Sequence, residues 1–180
     1  RLVVAIQDLG TQGFSPWLQG VGDRPVSQEI GETLVRVNPK TGQMEGGLAD
    51  SWSVAPDGTW TFKLRPNIPF HDGYGTVTAD DVKFSWEQFT QKDSIQNQAA
   101  LYRQAVDGDM KNFEIVGPLE FRLKTTKPLI YLPDLLNNLT PGLTIQSKKY
   151  WETKPAEALV HPIGTGPYKF VSSTKGIDVQ

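Results

Sequence analysis

The chain has 180 residues, a formal net charge of −2 and no cysteine. This length suits one domain or two small ones, and the charge gives no electrostatic case for binding nucleic acid or an anionic membrane surface. Without cysteine, the sequence excludes disulfides, thiolate catalysis and cysteine-ligated metal sites. No run approaches the ~18 apolar residues that a membrane-spanning helix needs.

The first elements are a short apolar run and a glycine-rich loop. Residues 1–7 predict a buried strand, and the loop over 8–22 that follows contains Phe14 and Trp17. Loops beside the end of a buried strand often carry binding residues, so both rings are candidates for contact with a ligand. The alternative is that both rings cap the core, and the sequence leaves these two interpretations open.

Helical periodicity predicts several helices. Ile30, Leu34 and Val37 recur at helical spacing, which predicts a helix over 27–37. Another helix is predicted to begin at Thr78 as its N-cap, with Asp81 in the capping-box position. Shorter helices are predicted around 99–105, over 128–139 with an interruption at Pro133, and over 147–154.

Strand periodicity predicts two hairpins. In the first, Trp52 and Val54 alternate with polar residues, a turn follows at 56–58, and Trp60, Phe62 and Leu64 alternate with polar residues again. The second hairpin has its turn at 117–118, between strands over 113–115 and 119–123. Short strands are also predicted at 143–145, 168–171 and 177–179.

Five motifs occur in an order and spacing that resembles the family 5 extracellular solute-binding proteins. They are Glu32-Thr33-Leu34-Val35 with Thr41-Gly42, the hairpin over 47–65, Phe70-His71-Asp72-Gly73, the helix over 78–86, and the segment 161–170. Members of this family are the capture components of ABC importers for peptides, nickel and some sugars. Each motif alone is weak, but five in order make a specific pattern. Tyr74-Gly75-Thr76-Val77 and Met44-Glu45 depart from the residues usual at those turns.

The resemblance implies an α/β fold of the periplasmic-binding-protein type, a type II clamshell in which two lobes close on a ligand. Residues 1–43 and 162–180 would then belong to the first lobe, and residues 44–161 would form an inserted α+β subdomain. The second lobe is expected to lie outside this chain. The sequence also stops at the first residues of a predicted strand, which is typical of a fragment.

The function implied by the resemblance is non-catalytic capture of a peptide or similar small solute and its delivery to the permease subunits of an ABC importer. We expect a monomer at a periplasmic or cell-surface location, with or without a lipid anchor, and without cofactor, metal or nucleic-acid partner. The ligand-facing residues are predicted in the loop after the first strand, with two further aromatic candidates: Gln7, Asp8, Leu9, Gly10, Thr11, Gln12, Gly13, Phe14, Trp17 and Tyr102.

Two other functions remain open. His71 and Asp72 could serve acid–base chemistry in a hydrolase, but no serine in a nucleophile motif accompanies them, and a turn with His71 bonded to the backbone is the structural alternative. A stand-alone carbohydrate-binding module would need Trp17 and Trp151 exposed. The segment 164–166 lacks the helix N-terminus of a phosphate-binding loop, so we interpret it as a tight return of the chain.

Overall fold

The computed structural model describes residues 10, 13–15, 17–127, 129–139 and 143–180. The apolar run 1–7 lies outside these ranges, so the strand predicted there stays a prediction. Within them, no helix is both long enough and apolar enough to cross a membrane.

Helices and short strands alternate along the chain. After a 3-10 turn at Val21–Asp23 come helix α1 (Arg24–Ile30) and strands β1 (Val35–Val37) and β2 (Met44–Gly46). Next are β3 (Ala49–Val54), β4 (Trp60–Leu64), α2 (Ala79–Thr90), α3 (Ala99–Gln104), β5 (Phe113–Gly117) and β6 (Glu120–Leu123). Last are α4 (Leu132–Leu135), α5 (Lys148–Thr153), α6 (Pro155–Ala158), β7 (Ser173–Thr174) and β8 (Asp178–Val179).

A four-stranded antiparallel sheet in the order β3-β4-β6-β5 holds the main core. Alternate side chains of β4 are buried, with Phe62 fully buried and Lys63 exposed, as a period of two requires. Rings from neighbouring strands stack across the sheet: Phe62 lies 5.1 Å from Phe121, and Phe121 lies 4.8 Å from Phe113. These pairings confirm both predicted hairpins.

Helix α2 begins as predicted. The Asp81 carboxylate accepts hydrogen bonds from the backbone N–H of Thr78 at 2.9 Å and from its hydroxyl at 2.8 Å. Its other oxygen accepts from the N–H of Lys148 at 2.9 Å, so the same carboxylate joins α2 to the start of α5. The fully buried Trp86 of α2 packs edge to face on Tyr102 of α3, with ring centroids 4.8 Å apart. The helix predicted around 99–105 is thereby confirmed as α3.

Helix α1 differs from the helix predicted over 27–37. It starts three residues earlier and ends at Ile30, because Gly31 takes an extended conformation with φ −114° and ψ 159°. Residues 35–37 form β1 instead, and the N–H of Val35 donates to the carbonyl of Leu136 at 3.0 Å. β-Branched residues alternate in this stretch, and that period of two outweighs the weaker helical spacing.

Three other predictions were wrong in detail. Residues 143–147 are buried without forming a ladder in the described structure, although the N–H of Ile145 donates to the Glu32 carbonyl at 3.0 Å. Residues 168–171 form no strand there either. The helix expected over 128–139 is only the single turn α4, with Pro133 in its first turn, where the missing N–H has no intrahelical partner to lose.

A second, smaller core joins the two ends of the described chain. It consists of Phe14, Ile30 and Phe170, and Val26 packs against it. Its members come from 1–43 and 162–180, the two segments assigned to one lobe by resemblance. That division of the chain stays a prediction.

Candidate functional site

The loop predicted to face a ligand is described in part. Five of its predicted contact residues lie outside the described residues, and their role stays a prediction: Gln7, Asp8, Leu9, Thr11 and Gln12. Gly10 is exposed with φ +63°, and a side chain there would collide with Asp23. Gly13 is half-buried. Gly10 therefore lies directly beside the N-terminal end of α1.

Phe14 caps the smaller core. It is 4% exposed, its ring lies 5.0 Å from that of Phe170 in an edge-to-face contact, and its N–H donates to the Leu159 carbonyl at 3.3 Å. Of the two interpretations that the sequence leaves open for this ring, core packing is the one that its position matches. The ring offers no surface to a ligand in this structure.

Trp17 and Trp151 form an aromatic pair. Their ring centroids lie 5.2 Å apart at an interplanar angle of 50°, and both side chains are half-buried. The carbonyl of Trp17 accepts a hydrogen bond from the N–H of Ile95 at 3.0 Å, which fixes the loop on the segment before α3. The sequence marks each indole separately as a candidate, and the structure brings the two together.

Two exposed apolar residues neighbour Trp17: Leu18 follows it in the chain, and the N–H of Ile95 is bonded to its carbonyl. Leu18 is 43% exposed and Ile95 is 57% exposed, and the Gln96 side chain donates to the Gln19 carbonyl at 2.9 Å beside them. We call Trp17, Leu18, Ile95 and Trp151 the apolar patch. Sequence reasoning missed Ile95, because it stands alone in a polar stretch where no periodicity marks it.

Tyr102 lies in the main core and not on a surface. It is fully buried, its hydroxyl donates to the Leu135 carbonyl at 2.6 Å, and the hydroxyl oxygen accepts from the N–H of Leu143 at 3.2 Å. Burial raises the pKa of Tyr102 above its ordinary value, although the Leu143 N–H partly offsets this. A solute cannot reach this ring while the core is intact. The suggestion that it faces the ligand is therefore not supported by its position.

His71 is held by the backbone of residues 164–166. Its Nε2 lies 2.9 Å from the Gly166 carbonyl oxygen, and its Nδ1 accepts from the N–H of Gly164 at 3.3 Å. These partners assign the neutral tautomer with the proton on Nε2. Asp72 takes φ +57° and pairs with Lys169 at 3.1 Å. Both ring nitrogens are thus engaged, and the structural alternative for His71-Asp72 is confirmed.

The segment 164–166 is a tight return of the chain, as predicted. The N–H of Gly166 donates to the carbonyl of Ile30 at 2.8 Å, and a Cβ at Gly164 or Gly166 would collide with this backbone. Glycine is needed here because the two backbones touch. Among the described residues, no three His, Asp or Glu side chains are grouped so that they could hold a metal ion.

Residues 43–180 match the family described as bacterial extracellular solute-binding proteins, family 5 Middle. A curated relative, the HTH-type transcriptional regulator SgrR of Shigella flexneri, is 32% identical over 158 residues, which cover 86% of this chain and 25% of the regulator. The chain therefore spans about a quarter of the length of the curated relatives that it matches.

Two solved structures share the fold. MoaA from A. tumefacien, in complex with mannopinic acid, superposes with a TM-score of 0.77 at 31% identity, covering 96% of this chain and 34% of that protein. OppA from Haemophilus influenzae, in complex with the peptide RPPGFSPFR, gives a TM-score of 0.77 at 25% identity, covering 92% and 34%. These matches confirm the predicted fold class, and this chain spans about a third of each protein.

Proposed function

The chain belongs to family 5 of the bacterial extracellular solute-binding proteins, and we propose that it is part of a receptor that captures a peptide or similar small solute outside the cytoplasm and delivers it to the permease of an ABC importer. The family match over residues 43–180 is the observation that carries the proposal. Two structural relatives hold a peptide and mannopinic acid, which supports capture of a small solute. The family is one of binding proteins. This agrees with the position of His71, whose ring is hydrogen-bonded to the backbone at Gly166.

We favour a peptide because of the apolar patch. Trp17 and Trp151 offer partly exposed indole surface, and Leu18 and Ile95 extend it with aliphatic groups. Such a surface suits the apolar side chains of a peptide better than a hydroxyl-rich or metal-bound solute, because burying polar groups without partners is costly. In the proposed mechanism, the loop over 7–13 and the apolar patch line one side of a cleft, and hinge closure of a second lobe encloses the solute.

The proposed lobe division is supported by contacts at its boundary. The segments 1–43 and 162–180 meet through Phe14 and Phe170, and His71 of the inserted segment is bonded to the backbone at Gly164 and Gly166. Under the proposed division, the bonds of His71 would join the inserted subdomain to the first lobe. A rigid mounting would let a closing movement of the other lobe bury the solute against a fixed surface.

Deletion of the gene in its native host tests the transport function. We expect uptake of labelled oligopeptides to fall to background while uptake through unrelated importers stays constant. The complete gene should restore uptake, and its Trp17→Ala and Trp151→Ala versions should restore it more weakly. This pattern would assign the uptake to the apolar patch. Trp52→Phe is the matched control, since Trp52 packs beside Phe62 on the sheet and is not a member of the apolar patch. Unchanged peptide uptake in the deletion strain would overturn the proposal.

Calorimetry on the 180-residue chain tests the mechanism separately. The chain spans about a third of its structural relatives, so it provides only part of the enclosure on which affinity depends. We therefore expect tripeptides with apolar side chains to bind with a Kd weaker than micromolar. Submicromolar binding by this chain alone would contradict the two-lobe mechanism.

A second candidate function is solute sensing within a transcriptional regulator. The 32% identity to SgrR favours it, because that protein is a regulator and not a transport component by name. Fractionation of native host cells with an antibody against this chain separates the two candidates. Detection outside the cytoplasmic membrane supports the receptor, whereas detection only with the chromosome-containing fraction supports the regulator.

A further inference from the structure

A small cavity lies near the C-terminal end of helix α1, away from the loop predicted to face the solute. Its volume is about 120 Å³, and Gly31, just after the helix, forms part of its wall. The loop meets the other end of α1 at Asp23, and seven helical residues span ~10 Å. None of the residues that line the cavity belongs to the apolar patch. A single water needs only ~10–15 Å³ of such volume, so a group of several heavy atoms fits.

Two amide side chains in the cavity wall are fixed by hydrogen bonds. The Gln28 amide nitrogen donates to the backbone carbonyl of Asn138 at 2.8 Å. The side-chain oxygen of Asn138 in turn accepts from the N–H of Val37 at 2.9 Å. These bonds orient both amides and leave the side-chain oxygen of Gln28 as an acceptor without a partner in the described structure.

The charges in the wall do not balance. The Arg36 guanidinium already pairs with Glu45 at 2.7 Å, outside the lining of the cavity. Glu32 also lines the cavity and is half-buried, and within the described ranges its carboxylate makes no ion pair or hydrogen bond. The Glu32 carboxylate is therefore available as a hydrogen-bond acceptor and counter-ion for a bound cation. The cavity thus presents one unsatisfied negative charge and one unsatisfied amide oxygen.

We propose that this cavity binds a guanidinium or primary ammonium group, with the Glu32 carboxylate as counter-ion and the Gln28 side-chain oxygen as second acceptor. Both cations consist only of hydrogen-bond donors, which matches the two acceptors in the wall, and the Arg36 guanidinium that also lines the cavity is paired with Glu45. The site goes beyond the proposed capture of solute, because it lies at the other end of α1. The cation can belong to a free small molecule or to an arginine or lysine of a partner protein.

NMR titration of the isotope-labelled 180-residue chain with methylguanidinium chloride tests this site, with sodium chloride at equal ionic strength as the reference. The amide signals of Gly31 and Gly47, both in the cavity wall, should shift in a saturable way. In Glu32→Gln the Kd should rise at least tenfold, as expected for loss of a hydrogen bond to a charged group. Glu29→Gln is the matched control, since Glu29 is an exposed carboxylate of α1 that does not line the cavity.

Capped tripeptides with a central arginine or a central alanine distinguish the two sources. Tenfold tighter binding of the arginine peptide than of methylguanidinium, sensitive to Glu32→Gln, assigns the site to a partner protein. Equal affinity for the arginine tripeptide and for methylguanidinium assigns the site to a free small cation. The proposal is overturned if the amide signals of Gly31 and Gly47 show no saturable shift with either probe. It is also overturned if the same signals in Glu32→Gln shift with the same Kd as in the parent chain. Because the apolar patch plays no part in this readout, failure here leaves the capture function untouched.

Discussion

Replacing Tyr102 with phenylalanine isolates the polar contribution of one core residue. The ring keeps its contacts with Trp86 at 4.8 Å and Phe89 at 4.7 Å, so packing is preserved. The hydroxyl, however, bridges the Leu135 carbonyl at 2.6 Å and the Leu143 N–H at 3.2 Å. It joins α3 to α4 and to the buried segment that begins at Leu143, elements far apart in sequence.

The expected loss of stability follows from these two bonds. Losing the bond to the Leu135 carbonyl costs ~1 kcal/mol net, and the buried Leu143 N–H, left without its acceptor, costs ~1–3 kcal/mol. Tyr102→Phe should therefore lower the free energy of unfolding by about 2–4 kcal/mol. For a chain of 180 residues, 1 kcal/mol corresponds to ~2–4 °C in melting temperature, which gives a fall of about 5–15 °C.

Thermal unfolding followed by circular dichroism measures this loss. Tyr168→Phe is the matched control, because Tyr168 is 48% exposed and its hydroxyl lacks a partner in the described structure. A fall for Tyr102→Phe no larger than for Tyr168→Phe would refute the bridging role of the hydroxyl. Loss of peptide binding by Tyr102→Phe without loss of stability would instead restore this residue as a ligand contact.

Three further perturbations follow from the same structure. Gly166→Ala should lower the melting temperature by several degrees, because its Cβ would lie 2.8 Å from the Ile30 carbonyl oxygen. Stability in urea should fall as pH rises from 10 towards 12, because burial raises the pKa of Tyr150 to about 12 while an unfolded tyrosine ionises near 10. Asp81→Asn should cost ~1–2 kcal/mol of unfolding free energy in urea titrations, because the amide nitrogen cannot accept the bonds that the carboxylate accepts.

Each of these predictions has a matched control. Gly117→Ala should leave the melting temperature nearly unchanged, since a Cβ there meets open space. Tyr150→Phe should flatten the loss of stability above pH 10, and an unchanged slope would contradict the assigned cause. Asp80→Asn should have a small effect, since Asp80 is exposed and its nearest cation, Lys148, is 3.9 Å away. Equal losses for Asp80→Asn and Asp81→Asn would contradict the capping role.

Features that depend on neighbouring residues were predictable from the sequence. The hairpin over 49–64 follows from alternation and a turn at 56–58, and the start of α2 follows from Thr78 and Asp81 three residues apart. The tight return at 164–166 follows from its glycines. Each of these signals lies within a few residues, so no knowledge of the rest of the chain is required.

The site was less predictable from the sequence than the fold. It marked Trp17 and Trp151 singly, but their contact depends on how the loop, α5 and the segment before α3 pack together. It suggested Tyr102 as a ligand contact because a tyrosine in a polar stretch has the same local pattern whether exposed or buried. The unpaired charge of Glu32 also became visible only when the partner of Arg36 was known.

The sequence by itself therefore determined the family, the hairpins and the cap of α2, because motif order, alternation and capping each depend on residues that are close together in the chain. Only the tertiary structure decided that residues 35–37 join β2 as a strand, that Tyr102 is buried, and that the two tryptophans meet. The physical reason is that burial and long-range pairing depend on which surfaces the folded chain brings into contact. The residues next to a side chain in the sequence do not specify its tertiary partner.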